Sequence, residues 1–182
     1  MNVTPELDAR FRAAAVREGL VDVRYDIVGS PVGDLFVAAT PGGLCRISYT
    51  VDGQDEIVAR VFGVRVLRSP LDEVRRELDE YFEGKRREFD LPLDLRVAPF
   101  YADVLRELAR VPYGHTDTYG ALAKRAGKPK AARAVGTVMN RNPIPIVLPC
   151  HRIVGANGAL TGYAGGLDVK RHLLHLEGVT LE

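Results

Sequence analysis

Ile144-Pro145-Ile146-Val147-Leu148-Pro149-Cys150-His151-Arg152-Ile153-Val154 is an apolar run that closes on a cysteine and a histidine side by side. Prolines among β-branched residues forbid a long helix, so the run reads as an extended segment that delivers Cys150. The thiolate is the reactive form of cysteine. Its ordinary pKa of about 8.5 falls when a base or a positive charge stands close, and His151 and Arg152 are candidates for both. Taken alone, a cysteine after such a run also reads as a small buried apolar residue. The decision therefore rests on its surroundings.

Upstream, Thr118 can cap a helix over Tyr119–Ala126 that Gly127 ends, and Pro129 stands at a first helical position opening Lys130–Met139. Two short helices joined by a glycine-containing turn make a helix-turn-helix. Ala131, Ala132, Ala134 and Gly136 would let the second helix approach a partner closely, though small residues are also a packing device. Between Tyr119 and Arg152 stand Lys124, Arg125, Lys128, Lys130, Arg133, Arg141 and Arg152 without one acidic residue. Such a stripe is an electrostatic footprint for polyanions.

Downstream, residues 155–166 are glycine-rich and loop-like, and a last helix runs from about Leu167 to Leu176. Glu177 lies at the helix end where the macrodipole disfavours a carboxylate. A carboxylate placed against that preference points to a specific partner, and His151 is a candidate.

The first half has another character. Residues 1–96 carry 14 basic residues against 18 acidic, whereas residues 97–182 carry 11 against 6, so the basic character belongs to the second half. Thr4-Pro5 opens a helix over residues 5–19, with Leu7, Phe11, Ala14 and Ala15 on one face. Three strand-like runs, Val21–Val28, Gly33–Thr40 and Gly43–Thr50, read as an antiparallel meander. A short helix over Asp52–Phe62, an extended Val64–Leu67, a helix over Leu71–Phe82 and a linking strand over residues 89–95 complete that half. Composition shifts at Val97-Ala98-Pro99, after which Phe100, Val104, Leu105 and Leu108 form one helical stripe.

With 46% hydrophobic and 27% charged residues the chain is of ordinary globular composition, and no apolar run nears the roughly 20 residues of a membrane span. Met1–Glu6 lacks the features of a signal peptide, so no membrane partner and a cytoplasmic location are expected. Cys45 and Cys150 alone cannot build a disulfide framework or a cysteine zinc site, and His172 and His175 read as helix surface. No metal is expected.

A Cys-His pair, a carboxylate able to orient the histidine, a basic helix-turn-helix and a glycine-rich loop together resemble the O6-alkylguanine-DNA alkyltransferases, the methylated-DNA–protein-cysteine methyltransferases. The resemblance rests on Pro149-Cys150-His151-Arg152, on Arg133-Ala134-Val135-Gly136 with Asn142-Pro143 after it, and on Gly162-Tyr163-Ala164-Gly165-Gly166-Leu167 with Lys170, Leu173, Leu174 and Glu177. It is strong over residues 99–178 and weaker before, where Ser30-Pro31-Val32-Gly33 and Gly43-Leu44-Cys45-Arg46-Ile47 carry it. Leu105 and His115 depart from the family pattern.

The resemblance implies an α/β protein. Residues 1–20 would be a helical extension, residues 21–96 a ribonuclease-H-like domain with a small antiparallel sheet, and residues 97–182 a mostly helical DNA-binding and active-site domain. It implies that Cys150 takes an alkyl group from O6 of guanine, once per molecule and without a cofactor. His151 would remove the thiol proton, Glu177 would orient His151, and Asn142 would hold the network. Arg133 would fill the place of a flipped base, and Tyr119 would contact that base or its phosphate and assist the leaving group. Lys130, Ala134 and Arg141 would lie along the DNA. Met139, Pro145, Ile153, Tyr163, Ala164 and Gly165 would form the pocket. The partner would be double-stranded DNA with alkylated bases, and the protein would be monomeric off DNA. The alternative is a non-enzymatic sensor of alkylated bases, against which Cys150 argues.

Overall fold

Thr4 begins the described part of the chain by capping helix α1 (Pro5–Arg17): its hydroxyl accepts from the Leu7 N–H at 3.3 Å, and Glu6 and Asp8 occupy the first turn. The computed structural model describes residues 4–180. Residues 1–3 and 181–182, the outer ends of the expected extension and C-terminal domain, lie outside the described residues. No residue of α1 is buried, and Leu7 and Phe11 are exposed. Arg12 ties the helix down through a 2.9 Å bond to the Arg68 carbonyl.

Strands β1 (Val23–Val28), β2 (Leu35–Thr40) and β3 (Gly43–Ser48) form the expected antiparallel meander. Helix α2 (Gln54–Phe62) then carries the chain across to the far edge, where β4 (Val66–Arg68) lies parallel to β1. The sheet has the order β3-β2-β1-β4 and is mixed rather than wholly antiparallel. Every residue of β2 is buried because both faces are covered. Phe36 and Ala38 pack with Val58 of α2, while Leu35 and Val37 face the main core. Gly43 (φ 136°) opens β3 where a Cβ would run into the backbone at Pro92, so no other residue fits.

Helix α3 (Asp72–Phe82) buries the stripe Val74, Leu78 and Tyr81. The expected linking strand over residues 89–95 makes a single bridge, Leu93 to Leu44. Helix α4 (Pro99–Leu108) buries Val104, Leu105 and Leu108. One continuous core joins Leu78 and Tyr81 to Leu105, Leu122, Val135, Ile144 and Leu173, so the two halves are packed through a shared interior. Truncating a leucine such as Leu78 in it to alanine costs about 2–5 kcal/mol.

Thr118 caps helix α5 (Tyr119–Arg125) as expected, accepting from the Ala121 N–H at 3.1 Å. Helix α6 (Ala132–Asn140) starts later than the position of Pro129 suggests. A turn closed by the Ala131 N–H on the Lys128 carbonyl, at 2.8 Å, holds Pro129 and Lys130 outside the helix. A two-residue ladder between β5 (Asp117–Thr118) and β6 (Ile153–Val154) is too short to leave a sequence pattern. Helix α7 (Leu167–Leu176) ends at Glu177, its C-cap. Among the described residues no helix is long and apolar enough to cross a membrane.

Candidate active site

The turn before Cys150 is built around Asn142. Its Nδ2 donates to the Leu148 carbonyl at 2.7 Å and to the Cys150 sulfur at 3.1 Å, while its Oδ1 accepts from the Ile144 N–H at 3.1 Å. Between these anchors Ile146 has φ 76°, a left-handed conformation that a β-branched side chain strongly disfavours. Strain of this kind costs about 1–3 kcal/mol and persists only where the surroundings over-determine it. The buried amide of Asn142 does so, together with the Leu148 N–H on the Ile144 carbonyl at 2.9 Å.

Cys150 is not delivered on an extended segment. It opens a 3₁₀ turn over Cys150–Arg152, closed by the Arg152 N–H on the Pro149 carbonyl at 3.0 Å. The strained turn at Ile146 has already reversed the chain, so the prolines bend the run instead of extending it. All three side chains of the 3₁₀ turn are buried.

Glu177 gathers the other side of the site. Its carboxylate accepts from His151 Nε2 at 2.8 Å, from Arg152 Nε and Nη2 at 2.9 Å each, from the Tyr81 hydroxyl at 2.8 Å and from the Gly114 N–H at 3.2 Å. Those donors explain a carboxylate at a helix C-terminus. Burial pushes the Glu177 carboxyl up, but the hydrogen bonds and charges of His151 and Arg152 outweigh it and hold it at about 2. Burial also lowers the His151 pKa, more than the bond to Glu177 raises it. Arg152 already balances the carboxylate charge, so the imidazole is neutral with its proton on Nε2. Its Nδ1 has no hydrogen-bond partner among the described residues, and its lone pair is free to take a proton.

The thiol sits in a different environment. Burial raises the Cys150 pKa, while hydrogen bonding from Asn142, the charge of Lys170 and the Tyr163 hydroxyl pull it back. Lys170 is fully buried, and its Nζ donates to the Ile153 carbonyl at 2.6 Å and to the Thr161 carbonyl at 3.4 Å. The carbonyl of Ile153, an expected pocket residue, thus already accepts one bond.

The remaining expected residues fall into two groups. Met139 and Ile153 belong to the same buried cluster as Cys150, with Tyr163 packed against it. Pro145 and Ala164 line a cavity of about 350 Å³ together with Asn142 and Tyr49, and Gly165 lies against the Tyr49 ring. Arg133, Ala134, Lys130 and Arg141 are exposed on or beside α6. Tyr119 is half-buried, and its hydroxyl bonds the Thr161 hydroxyl at 2.7 Å, tying the start of α5 to the glycine-rich loop. Gly136 faces the Tyr119 ring, where a Cβ would stand 3.9 Å away, so one small residue of α6 serves helix packing. Within the basic stripe, Arg125 is paired with Asp117 and Glu107 and Arg152 is buried on Glu177.

The structure adds four residues that the sequence reading left without a role. Tyr81 reads as one more apolar position of α3, and Gly114 as a helix breaker. Tyr49 reads as a strand residue. Lys170 did carry a signal, since it shares a helical face with Leu173, Leu174 and Glu177 and so points inward.

Residues 99–179 match the family model described as 6-O-methylguanine DNA methyltransferase, DNA binding domain, and residues 23–95 match that of the ribonuclease-like domain. A methylated-DNA–protein-cysteine methyltransferase of Methanosarcina acetivorans is 44% identical over 154 residues, covering 85% of this chain and 97% of the relative. The chain belongs to this family. Among solved structures, a Mycobacterium tuberculosis O6-methylguanine methyltransferase aligns with a TM-score of 0.74 at 39% identity, covering 85% of this chain and 92% of that one. A structure of the same mycobacterial protein in complex with DNA aligns equally well, with a TM-score of 0.74 at 38% identity and the same coverage of 85% and 92%. A methyltransferase family matched over both halves of the chain does not favour the sensor alternative.

Proposed function

We propose that this member of the methylated-DNA–protein-cysteine methyltransferases repairs DNA by moving a methyl or small alkyl group from O6 of guanine, and less efficiently from O4 of thymine, onto Cys150. The single observation that carries the assignment of Cys150 is its contact with the Asn142 amide at 3.1 Å, next to a neutral His151 oriented by Glu177. His151 Nδ1 takes the thiol proton through a water, and Glu177 supports the imidazolium that forms. The thiolate attacks the alkyl carbon in line, the carbon–O6 bond breaks, and its electron pair leaves with the guanine. Tyr119 assists protonation of that leaving group, for which its hydroxyl must exchange its bond to Thr161. The product thioether is stable, so each molecule acts once.

A buried thiol cannot reach O6 inside a duplex, and turning the base out of the stack costs a few kcal/mol. In this reading α5 and α6 act as a helix-turn-helix laid in the minor groove. Arg133 fills the vacated place, and Lys130, Ala134 and Arg141 follow the backbone. The flipped base enters between Met139, Pro145, Ile153, Tyr163, Ala164 and Gly165. The protein works in the cytoplasm and is monomeric off DNA. Incubation with a duplex containing O6-methylguanine, followed by intact mass measurement, tests the proposal. A gain of one methylene per molecule, abolished in Cys150→Ser, is expected. Wild type and variant with the same unchanged mass would refute it.

A further inference from the structure

The N-terminal half touches the site at three points. Tyr81 donates to Glu177 at 2.8 Å, the Ile47 N–H of β3 donates to the Pro143 carbonyl at 2.9 Å beside Asn142, and the Tyr49 hydroxyl lies 2.6 Å from that of Tyr163. The last contact is the least explained by folding alone. The two rings lie 5.7 Å apart at 57°, a tilted pair whose hydroxyls converge. The approach also depends on Gly165, where a Cβ would come within 2.8 Å of the Tyr49 ring. A glycine in the loop thus makes room for a tyrosine contributed by the sheet. Tyr49 also lines the cavity beside Pro145 and Ala164.

We propose that Tyr49 is a positioning residue for the chemistry of Cys150, holding the Tyr163 hydroxyl where it can donate to the sulfur. The inference rests on the reading of Cys150 as nucleophile. Tyr163 has one proton. Once the sulfur is ionised, that proton is best placed on the thiolate, and the Tyr49 hydroxyl then donates to the Tyr163 oxygen. A hydroxyl that accepts one bond donates a stronger one, so the pair favours the thiolate in addition to Asn142. The other polar groups bearing on the sulfur are Lys170 of α7 and, behind His151, Glu177; Tyr81 is the remaining ionisable neighbour of Tyr163. Burial holds both hydroxyls of the pair protonated, their pKa values raised above the ordinary tyrosine range.

The test is the rate of Cys150 modification by iodoacetamide against pH, followed by peptide mass mapping so that Cys45 is counted separately. Tyr49→Phe keeps the ring and its contact with Gly165 and removes one oxygen. Its profile should move to higher pH, with the rate at neutral pH lower by about three- to tenfold, as an upward thiol shift of about half to one unit requires. The limiting rate at high pH and the thermal midpoint should stay unchanged. Tyr163→Phe should shift the profile at least as far, and adding Tyr49→Phe to it should shift nothing more. An unmoved profile in Tyr49→Phe, a lower thermal midpoint without a shift, or equal shifts with and without Tyr163 would overturn the inference. Methyl transfer from O6-methylguanine, measured on the same wild-type preparation, keeps the two readings separable: no transfer refutes the proposed function, whereas transfer with an unmoved profile refutes only the role of Tyr49.

Discussion

The Glu177 cluster and the outer face of α6 are opposites. Around Glu177 each charged group is buried and paired: one carboxylate takes bonds from His151, Arg152, Tyr81 and Gly114, and Arg152 spends another N–H on the Val111 carbonyl at 2.6 Å. On α6, Arg133 projects into solvent, and among the described residues no carboxylate lies within ion-pair distance of it. The comparison separates two tasks. Proton transfer needs a base fixed in one tautomer before substrate arrives, whereas intrusion into a duplex needs a side chain with no prior attachment. Interactions in the first region hold the fold as well as the proposed chemistry; in the proposed function, those of the second form only on DNA.

The largest expected effect breaks the first region. Glu177→Gln removes the charge but keeps the shape, leaving the buried Arg152 guanidinium without a counterion, which typically costs about 3–5 kcal/mol. Denaturant unfolding should show that loss, and the thiol modification profile should move to higher pH as the His151 base weakens. A loss under about 1 kcal/mol would mean that solvent reaches Arg152. Acid reads the same cluster. The folded Glu177 pKa of about 2 lies below its unfolded value, so its contribution is complete above pH ~4.3 and is lost as pH falls through the folded value. His151 is also depressed, so below pH ~6.5 the unfolded chain binds its proton first and stability falls. Wild-type stability should therefore decline in two stages on acidification, and in Glu177→Gln the lower stage should shrink to what other depressed carboxyls such as Asp22 contribute.

The second region is broken by Arg133→Ala. Repair in duplex DNA should slow by about tenfold or more, equivalent to roughly 1.4 kcal/mol or above, while transfer from free O6-benzylguanine and the thermal midpoint should stay at wild-type values. Equal losses on both substrates would place Arg133 among the structural residues of the site instead.

The same division governs what could be read from the sequence. The elements were legible because stripes such as Val104, Leu105 and Leu108, and stops such as Gly127, are local signals. The pairing of His151 with Glu177 was legible because a carboxylate at a helix C-terminus contradicts the macrodipole and so calls for a partner. Tyr49 and Tyr81 were not legible: each reads as an ordinary strand or helix residue, and only the packing of the N-terminal half against the glycine-rich loop and α7 gives its hydroxyl a use. The direction of β4 and the 3₁₀ turn at Cys150 were hidden for a related reason. One depends on how α2 recrosses the sheet, the other on a left-handed Ile146 that local preference argues against.

The smallest expected effect sharpens the comparison within the basic stripe itself. Lys130 lies exposed in the turn before α6, whereas Arg125 on α5 is already engaged by Asp117 and Glu107. Cations that neutralise phosphates release counterions, and each such contact contributes about 0.9 to the slope of log affinity against log salt. Lys130→Ala should therefore reduce the measured slope by about 1 without altering transfer from the free base. Arg125→Ala should reduce it less, because phosphate must compete with two carboxylates for that guanidinium. Equal reductions from both substitutions would mean that the DNA strips Arg125 from its partners. The count of cations in the sequence would then describe the interface better than the count left unpaired in the fold.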